Sequence, residues 1–431
     1  MKYLIVGGGI VGITGAILLR EKGYEVTVLE KSTKLGGLLN SFEAFKDNFL
    51  DFGSHVPRET GIEELDRILF GNLLDEQWNK YSYADVGNYF CGKLNTSSSF
   101  IDVRQLEEEI FIKGKQDFFK TNKKSENNLI DGLKAKFGET FTFEIYLPLM
   151  KKLLGDIDFS EIEATSYNLF GYTRLIIANQ SETEKIKQDI FFDQTVAHTQ
   201  NNLGYSEKKI YYPKKTGIYK WINNLEQKAR DLGVIFRFEE HPLNILMDRK
   251  TIHTSKSKYR FDKMIWTLPK EILDSTLDET YVIPQKKFIG VNIFHYKYQG
   301  ELLIKNHYLY CNDVNLSTFR VTLYDNLTQD KTNCCTVEVL GNEIYDSELI
   351  FQELKIMGIF NEDTKNIDFK KIYIKNGFPI PYTEKANTKE SCYIGKDVIL
   401  LNKDAQNFFM EDLLVKMYCI LNEETSTSIL N

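Results

Sequence analysis

An α/β fold is predicted, on three observations. The apolar run Lys2–Val6 ends in glycines, Gly12–Lys22 carries apolar residues at helical spacing, and Tyr24–Leu29 alternates towards a second strand. Together these make a β-α-β unit starting at residue 1. The turn inside it, Gly7-x-Gly9-x-x-Gly12, follows a strand and opens a helix, as a Rossmann-type dinucleotide fingerprint requires.

Each fingerprint residue has a physical task. Gly7 permits the tight turn, Gly9 lets backbone approach a pyrophosphate, and Gly12 lets helix and strand pack closely. The main chain of Ile10 and Val11 then presents the positive end of the helix to the phosphates. Glu30 ends the second strand eighteen residues after Gly12, where a carboxylate accepts from a ribose hydroxyl, with Lys31 next to it. That acid favours a free 2′-hydroxyl over a 2′-phosphate. Leu35-Gly36-Gly37, just beyond the second strand, supplies further glycines beside a long cofactor.

The rest of the chain alternates in character. Residues 103–203 contain helix-like stretches such as Leu129–Phe137 and Glu182–Phe192. From Lys209 the pattern returns to helix Ile218–Leu232, strand Val234–Phe238 and strand Phe261–Leu268. Several short strands follow between Phe288 and Cys335, and Val398–Leu401 precedes a helix beginning near Glu411. We therefore expect a nucleotide-binding domain assembled from discontinuous segments, 1–80, 205–270 and 385–431. An α+β substrate domain fills the gaps, helical over 81–204 and sheet-like over 271–384.

Composition narrows the class. The 431 residues are 42% hydrophobic, ample for a core, and the net charge of −7 is mixed along the chain, which argues against a nucleic-acid partner. Tyr3–Leu19 could pass for a signal peptide, but its charged start is minimal and no small-residue cleavage site follows. No other stretch is long enough to span a bilayer. Six scattered cysteines without a CxxC fit free thiols in the cytoplasm. His198, His241, His253, His295 and His307 share no metal-ligand spacing, and no metal is expected.

Several motifs resemble the flavin amine oxidase superfamily, in its UDP-galactopyranose mutase-like and protoporphyrinogen oxidase-like branch. Leu35-Gly36-Gly37 is similar to its second glycine motif, with Leu38 where an arginine is usual. Asp51-Phe52-Gly53-Ser54-His55 resembles the element that sets backbone and imidazole beside the flavin ring. Phe137-Gly138 through Pro148, Lys152 and Gly155 looks like a mutase stretch, with Leu149 and Leu154 replacing aromatics. Tyr212-Pro213 through Gly217, Asp262–Pro269 and Phe378-Pro379-Ile380-Pro381 match further elements more loosely, and Val398–Asp412 corresponds to the closing strand, turn and helix.

The resemblance implies FAD as cofactor, a glutathione-reductase-like FAD-binding domain, and contacts from Gly53, Ser54, His55, Asn402, Lys403 and Phe409. It implies His55 as a ring neighbour and Arg320, in Ser317–Tyr324, as a substrate arginine, with Arg174 as a second phosphate ligand. Strand alternation over Thr318–Tyr324 puts Arg320, Thr322 and Tyr324 on one face and Phe319, Val321 and Leu323 on the other. The alternative for Arg320 is an ion pair, with Asp325 as the nearest acid. Arg58 replaces a family histidine, and Asn402-Lys403 replaces a closing Gly-Arg or Gly-Asp, so a Cβ would crowd the cofactor.

Three functions follow. The first is an FAD-dependent oxidoreductase acting on a small molecule, with a nucleotide sugar or glycan precursor suggested by the resemblance alone. The second is a mutase-like isomerase using reduced flavin, and the third a non-catalytic flavin-binding protein.

Overall fold

The computed structural model describes residues 1–121, 127–203, 208–283, 287–383, 397–402 and 409–429. Its first layer is a five-stranded parallel sheet in the order Ile235–Arg237, Glu25–Leu29 (β2), Lys2–Val6 (β1), Lys263–Trp266 and Val398–Leu400. The start, middle and end of the chain thus interleave in one sheet. Such a sheet is buried on both faces. Tyr3 and Ile5 point into one core, and Leu4 and Val6 into the other.

Helix α1 (Ile10–Glu21) covers the first face, beside helices Tyr219–Asp231 and Met410–Ile429. Ten of its residues are buried, and its only basic residue, Arg20, sits in the last turn, where it complements the helix dipole. Gly23, at φ +86°, ends it in the left-handed region. The opposite face is covered by the three-stranded sheet of Pro242–Leu246, Thr251–Thr254 and Lys258–Arg260, with helix Lys270–Leu277.

The second sheet has seven strands, in the order Lys365–Pro379, Phe288–Gln299, Cys334–Leu340, Arg320–Leu323, Tyr308–Cys311, Val86–Phe90 and Lys93–Asn95. One face, carrying Phe294, Tyr296, Leu309, Val321, Leu323, Val337 and Val339, packs on helix Ser347–Ile356. The other face is polar at its centre. It meets the hairpin Ser41–Phe45/Asn48–Asp51 through Phe42, which lies edge-on to His295. Helices of the 103–203 region form a separate aromatic-rich cluster against one end of this sheet.

Several expected elements differ. The stretch Glu182–Phe192 is two short helices, Gln180–Ile186 and Ile190–Thr195, because the Asp189 side chain accepts the Phe191 and Phe192 N–H groups and starts a new helix. The strand expected over Thr318–Tyr324 is limited to Arg320–Leu323, and Tyr324 opens a helical turn. Phe319 leaves the alternation and joins the helical cluster with Phe170 and Tyr310.

Candidate functional site

The fingerprint turn lies at the carboxyl end of β1. Gly12 must be a glycine, since a Cβ there would lie 2.0 Å from the Gly7 carbonyl oxygen. Gly9 is different. It caps α1 in ordinary extended geometry (φ −73°, ψ 178°), and a Cβ would meet nothing within 4 Å. The space beside Gly9 is open, no side chain caps α1, and its first turn holds no acid. A helix start in this state attracts an anion.

The second glycine pair closes one side of this space. Gly36 pairs with Gly9 in a parallel bridge and donates its N–H to the Gly8 carbonyl at 2.8 Å. A Cβ on Gly37 would lie 3.9 Å from the Gly9 Cα. Leu38, next along, is exposed. Glu30 is buried, and its two oxygens accept the N–H groups of Gly8 and Ser32, each at 2.8 Å. Lys31 is exposed. Each carboxylate oxygen retains a lone pair for a ribose hydroxyl. The cradle therefore fits a dinucleotide. Glu30→Gln, which keeps one acceptor for the loop and turns an amide N–H₂ towards the other backbone N–H, is expected to weaken cofactor binding by about 1.5–3 kcal/mol in a titration and to lower the melting temperature as well.

From the cradle a chain of hydrogen bonds leads to the second loop. Asn40 donates to the Leu35 carbonyl at 3.0 Å, and the Phe52 N–H donates to the Asn40 carbonyl at 3.3 Å. Gly53 takes φ +105°, which favours glycine. The Ser54 N–H donates to Glu338 Oε1 at 3.0 Å. His55 is half-buried, with Nε2 3.2 Å from the Phe52 carbonyl oxygen.

Asp51 anchors this loop. It is buried and accepts from Ser41 Oγ (2.6 Å), Tyr212 Oη (2.6 Å) and the Ile218 N–H (2.8 Å), while its own N–H donates to Tyr324 Oη at 3.1 Å. Tyr324 meets Thr336, which meets His295 Nδ1 at 2.7 Å. Burial pushes the Asp51 carboxyl up to about 6 and holds the His295 imidazole down at about 3. Histidine spacing alone marks no role for His295. Its alternation in phase with Val291 and Ile293 was the available signal.

Arg320 corrects an expectation. It does face away from Val321 and Leu323, but its Nε and Nη2 each lie 2.7 Å from Glu338, the residue opposite it in the neighbouring strand. The expected acid, Asp325, instead accepts from Tyr298, Thr332 and the Asn333 N–H. The guanidinium lies 5.9 Å from the Tyr310 ring and 5.6 Å from the Phe319 ring. Arg174 does not join it. Its Nε is 3.3 Å from the Asp193 carbonyl oxygen, near Lys187 and His198. Lys152 is spent on structure, donating to the carbonyls of Cys311, Asp313 and Thr318 at 2.7–3.0 Å.

At the closing end, Leu401 continues the hydrogen bonding of the five-stranded sheet through Trp266, and half-buried Asn402 follows it. Phe409 is exposed, just before helix Met410–Ile429. Lys403 and Cys392 lie outside the described residues.

Residues 5–67 match the NAD(P)-binding Rossmann-like domain family. A 4,4'-diapolycopen-4-al dehydrogenase of Metabacillus indicus is 56% identical over 113 residues, covering 26% of this chain and 21% of the relative. A 4,4'-diapophytoene desaturase of Staphylococcus aureus is 22% identical over 302 residues, covering 62% and 55%. The chain thus spans no more than about half the length of these curated relatives. Among solved structures, reduced UDP-galactopyranose mutase superposes with a TM-score of 0.68 at 16% identity, covering 88% of this chain and 84% of the other. A putative protoporphyrinogen oxidase from Exiguobacterium gives 0.65 at 16% identity, covering 98% of each.

Residues 5–67 thus belong to an NAD(P)-binding Rossmann-like domain, set in the fold of the mutase and oxidase structures.

The chain's Rossmann-type domain has the fold of FAD-dependent oxidoreductases. Among the described residues, no helix is long and apolar enough to cross a membrane.

Proposed function

We propose that the chain binds FAD and acts as an oxidoreductase on a small organic molecule. The observation that carries this reading is the bridge between Gly9 and Gly36, which leaves open space at the uncapped start of α1. When bound, FAD supplies the acceptor for a hydride leaving the substrate. The chain's own residues do the rest. The N–H groups of Ile10, Val11 and Gly12 hold the pyrophosphate, Glu30 holds the adenosine ribose, and Gly37 and Gly53–His55 border the other half. In this reading residues 1–80, 205–270 and 385–431 form the cofactor unit, and 81–204 with 271–384 cover the reacting end.

The geometry weighs against a nucleotide sugar. A diphosphate at the reacting end would draw on the two arginines that the resemblance points to, whereas Arg320 is held by Glu338 and Arg174 sits with Asp193. We therefore assign an uncharged substrate, oxidised at a carbon–hydrogen bond, in keeping with the desaturase and dehydrogenase named among the relatives. The free thiols of Cys91, Cys311, Cys334, Cys335 and Cys419 support a cytoplasmic setting.

The test is anaerobic incubation of the FAD-loaded protein with apolar polyenes and with nucleotide sugars, watching flavin absorbance. Bleaching by a polyene without added reductant is the expected result. Product formed from a nucleotide sugar only after dithionite reduction would instead mark a mutase.

A further inference from the structure

We propose that Arg320 and Glu338 are positioning residues that clamp the Gly53–Ser54 backbone beside the flavin half of the cofactor and set the charge that half experiences. The inference rests on the FAD reading above.

The path of the cofactor comes from the cradle itself. Glu30 marks the adenosine end and Gly9 the pyrophosphate, so the remaining half must leave past Gly37. From there the Asn40–Leu35 and Phe52–Asn40 hydrogen bonds run straight to Gly53. Glu338 meets the loop at this point. Its Oε1 accepts the Ser54 N–H at 3.0 Å, and its Oε2 lies 2.9 Å from where a Cβ on residue 53 would stand. Gly53 is thus required twice, by its φ of +105° and by the carboxylate pressed against it.

Arg320 holds that carboxylate in place through two parallel 2.7 Å bonds. Both residues belong to paired inner strands of the seven-stranded sheet, a rigid mounting. The clamp therefore fixes the loop to the sheet that covers the reacting end. The nearest buried acid along the loop, Asp51, turns its carboxyl to Ser41, Tyr212 and Ile218 instead.

The pair is formally neutral and poorly exposed, with side-chain exposures of 18% for Arg320 and 5% for Glu338. Removing one partner leaves an uncompensated charge in a weakly screening site. Reduction adds negative charge to a flavin, so a nearby residual charge shifts its potential. A purely structural pair would not make the two removals act in opposite directions.

The experiment is a redox titration of bound FAD in the wild type, Glu338→Gln, Arg320→Gln and the double variant, with amide exchange at Ser54 in the cofactor-free proteins. Glu338→Gln leaves the Arg320 charge and is expected to raise the midpoint potential. Arg320→Gln leaves the carboxylate and is expected to lower it, and the double variant returns towards wild type. Arg320→Gln should also speed Ser54 exchange, about tenfold. Should Arg320→Gln not fold, Arg320→Lys keeps the charge and must hold the potential near wild type while still speeding exchange. FAD bound in every variant with no shift, or with both shifts of one sign, overturns the inference and leaves the FAD reading standing. A wild-type protein that takes up no FAD overturns both.

Discussion

Gly9→Val yields a folded protein that no longer holds FAD. The residue is in extended geometry and a Cβ meets no atom within 4 Å, so the cost to stability should be limited to that of a poorer helix cap, about 1 kcal/mol. The added methyl groups instead fill the space the pyrophosphate needs. Two or three N–H bonds to phosphate, each about 1.5–3 kcal/mol, are lost. The sum is roughly 3–9 kcal/mol, or about 10²- to 10⁶-fold in affinity. The same change at Gly12 would drive a side chain into the Gly7 carbonyl, backbone against Cβ, and would test folding rather than binding. A flavin titration with a thermal melt checks the result. Gly9→Val protein that melts normally and binds FAD like the wild type would remove this loop from the site.

The second large effect is a pH dependence carried by Asp51. Burial raises its carboxyl from 3.8 to about 6, partly offset by the hydrogen bonds from Ser41, Tyr212 and Ile218. Between these values the folded chain keeps a proton that the unfolded chain has released. Its contribution to stability is therefore fully present below about pH 4 and is lost as the pH rises through about 6. At 1.36 kcal/mol per unit the step is about 3 kcal/mol. Asp51→Asn carries no such proton. Its amide oxygen still accepts from Ser41 and Ile218, and the Tyr212 hydroxyl turns to accept from the amide nitrogen. Urea unfolding at pH 4, 5, 6 and 7 should show the wild type losing about 3 kcal/mol relative to Asp51→Asn across the range. Parallel curves for the two proteins would show that Asp51 is not the group responsible.

The nucleotide-binding half was legible because its constraints are local. Gly7, Gly9, Gly12 and Glu30 sit at fixed offsets from two strands, and the Gly36-Gly37 pair follows directly. The interleaving of strands 263–266 and 398–400 with β1 could also be read, since parallel buried strands are short apolar runs. The covering half was less legible because its constraints are between strands. Nothing local in Arg320 names Glu338 as its partner, eighteen residues on, rather than Asp325, five residues on. The choice is made by antiparallel register, which places Arg320 opposite Glu338. The Ser41–Asp51 hairpin leaves little sequence signal for a similar reason. Its short strands carry Phe42, Phe45 and Leu50 to a seam with the second sheet that no single-segment pattern reveals. The fifteen-residue strand Lys365–Pro379 did leave a period-two signal, with Ile367, Phe369 and Tyr373 in one phase. Its many lysines masked that signal, as charges on an edge strand do.

A titration of cofactor-free chain with FAD and with NAD, followed by absorbance and calorimetry, shows directly whether the cradle between the two glycine turns holds FAD. The chain is expected to bind one FAD, with the flavin band perturbed, and to show no saturable binding of NAD at comparable concentration. Saturable NAD binding with no uptake of FAD would contradict this expectation.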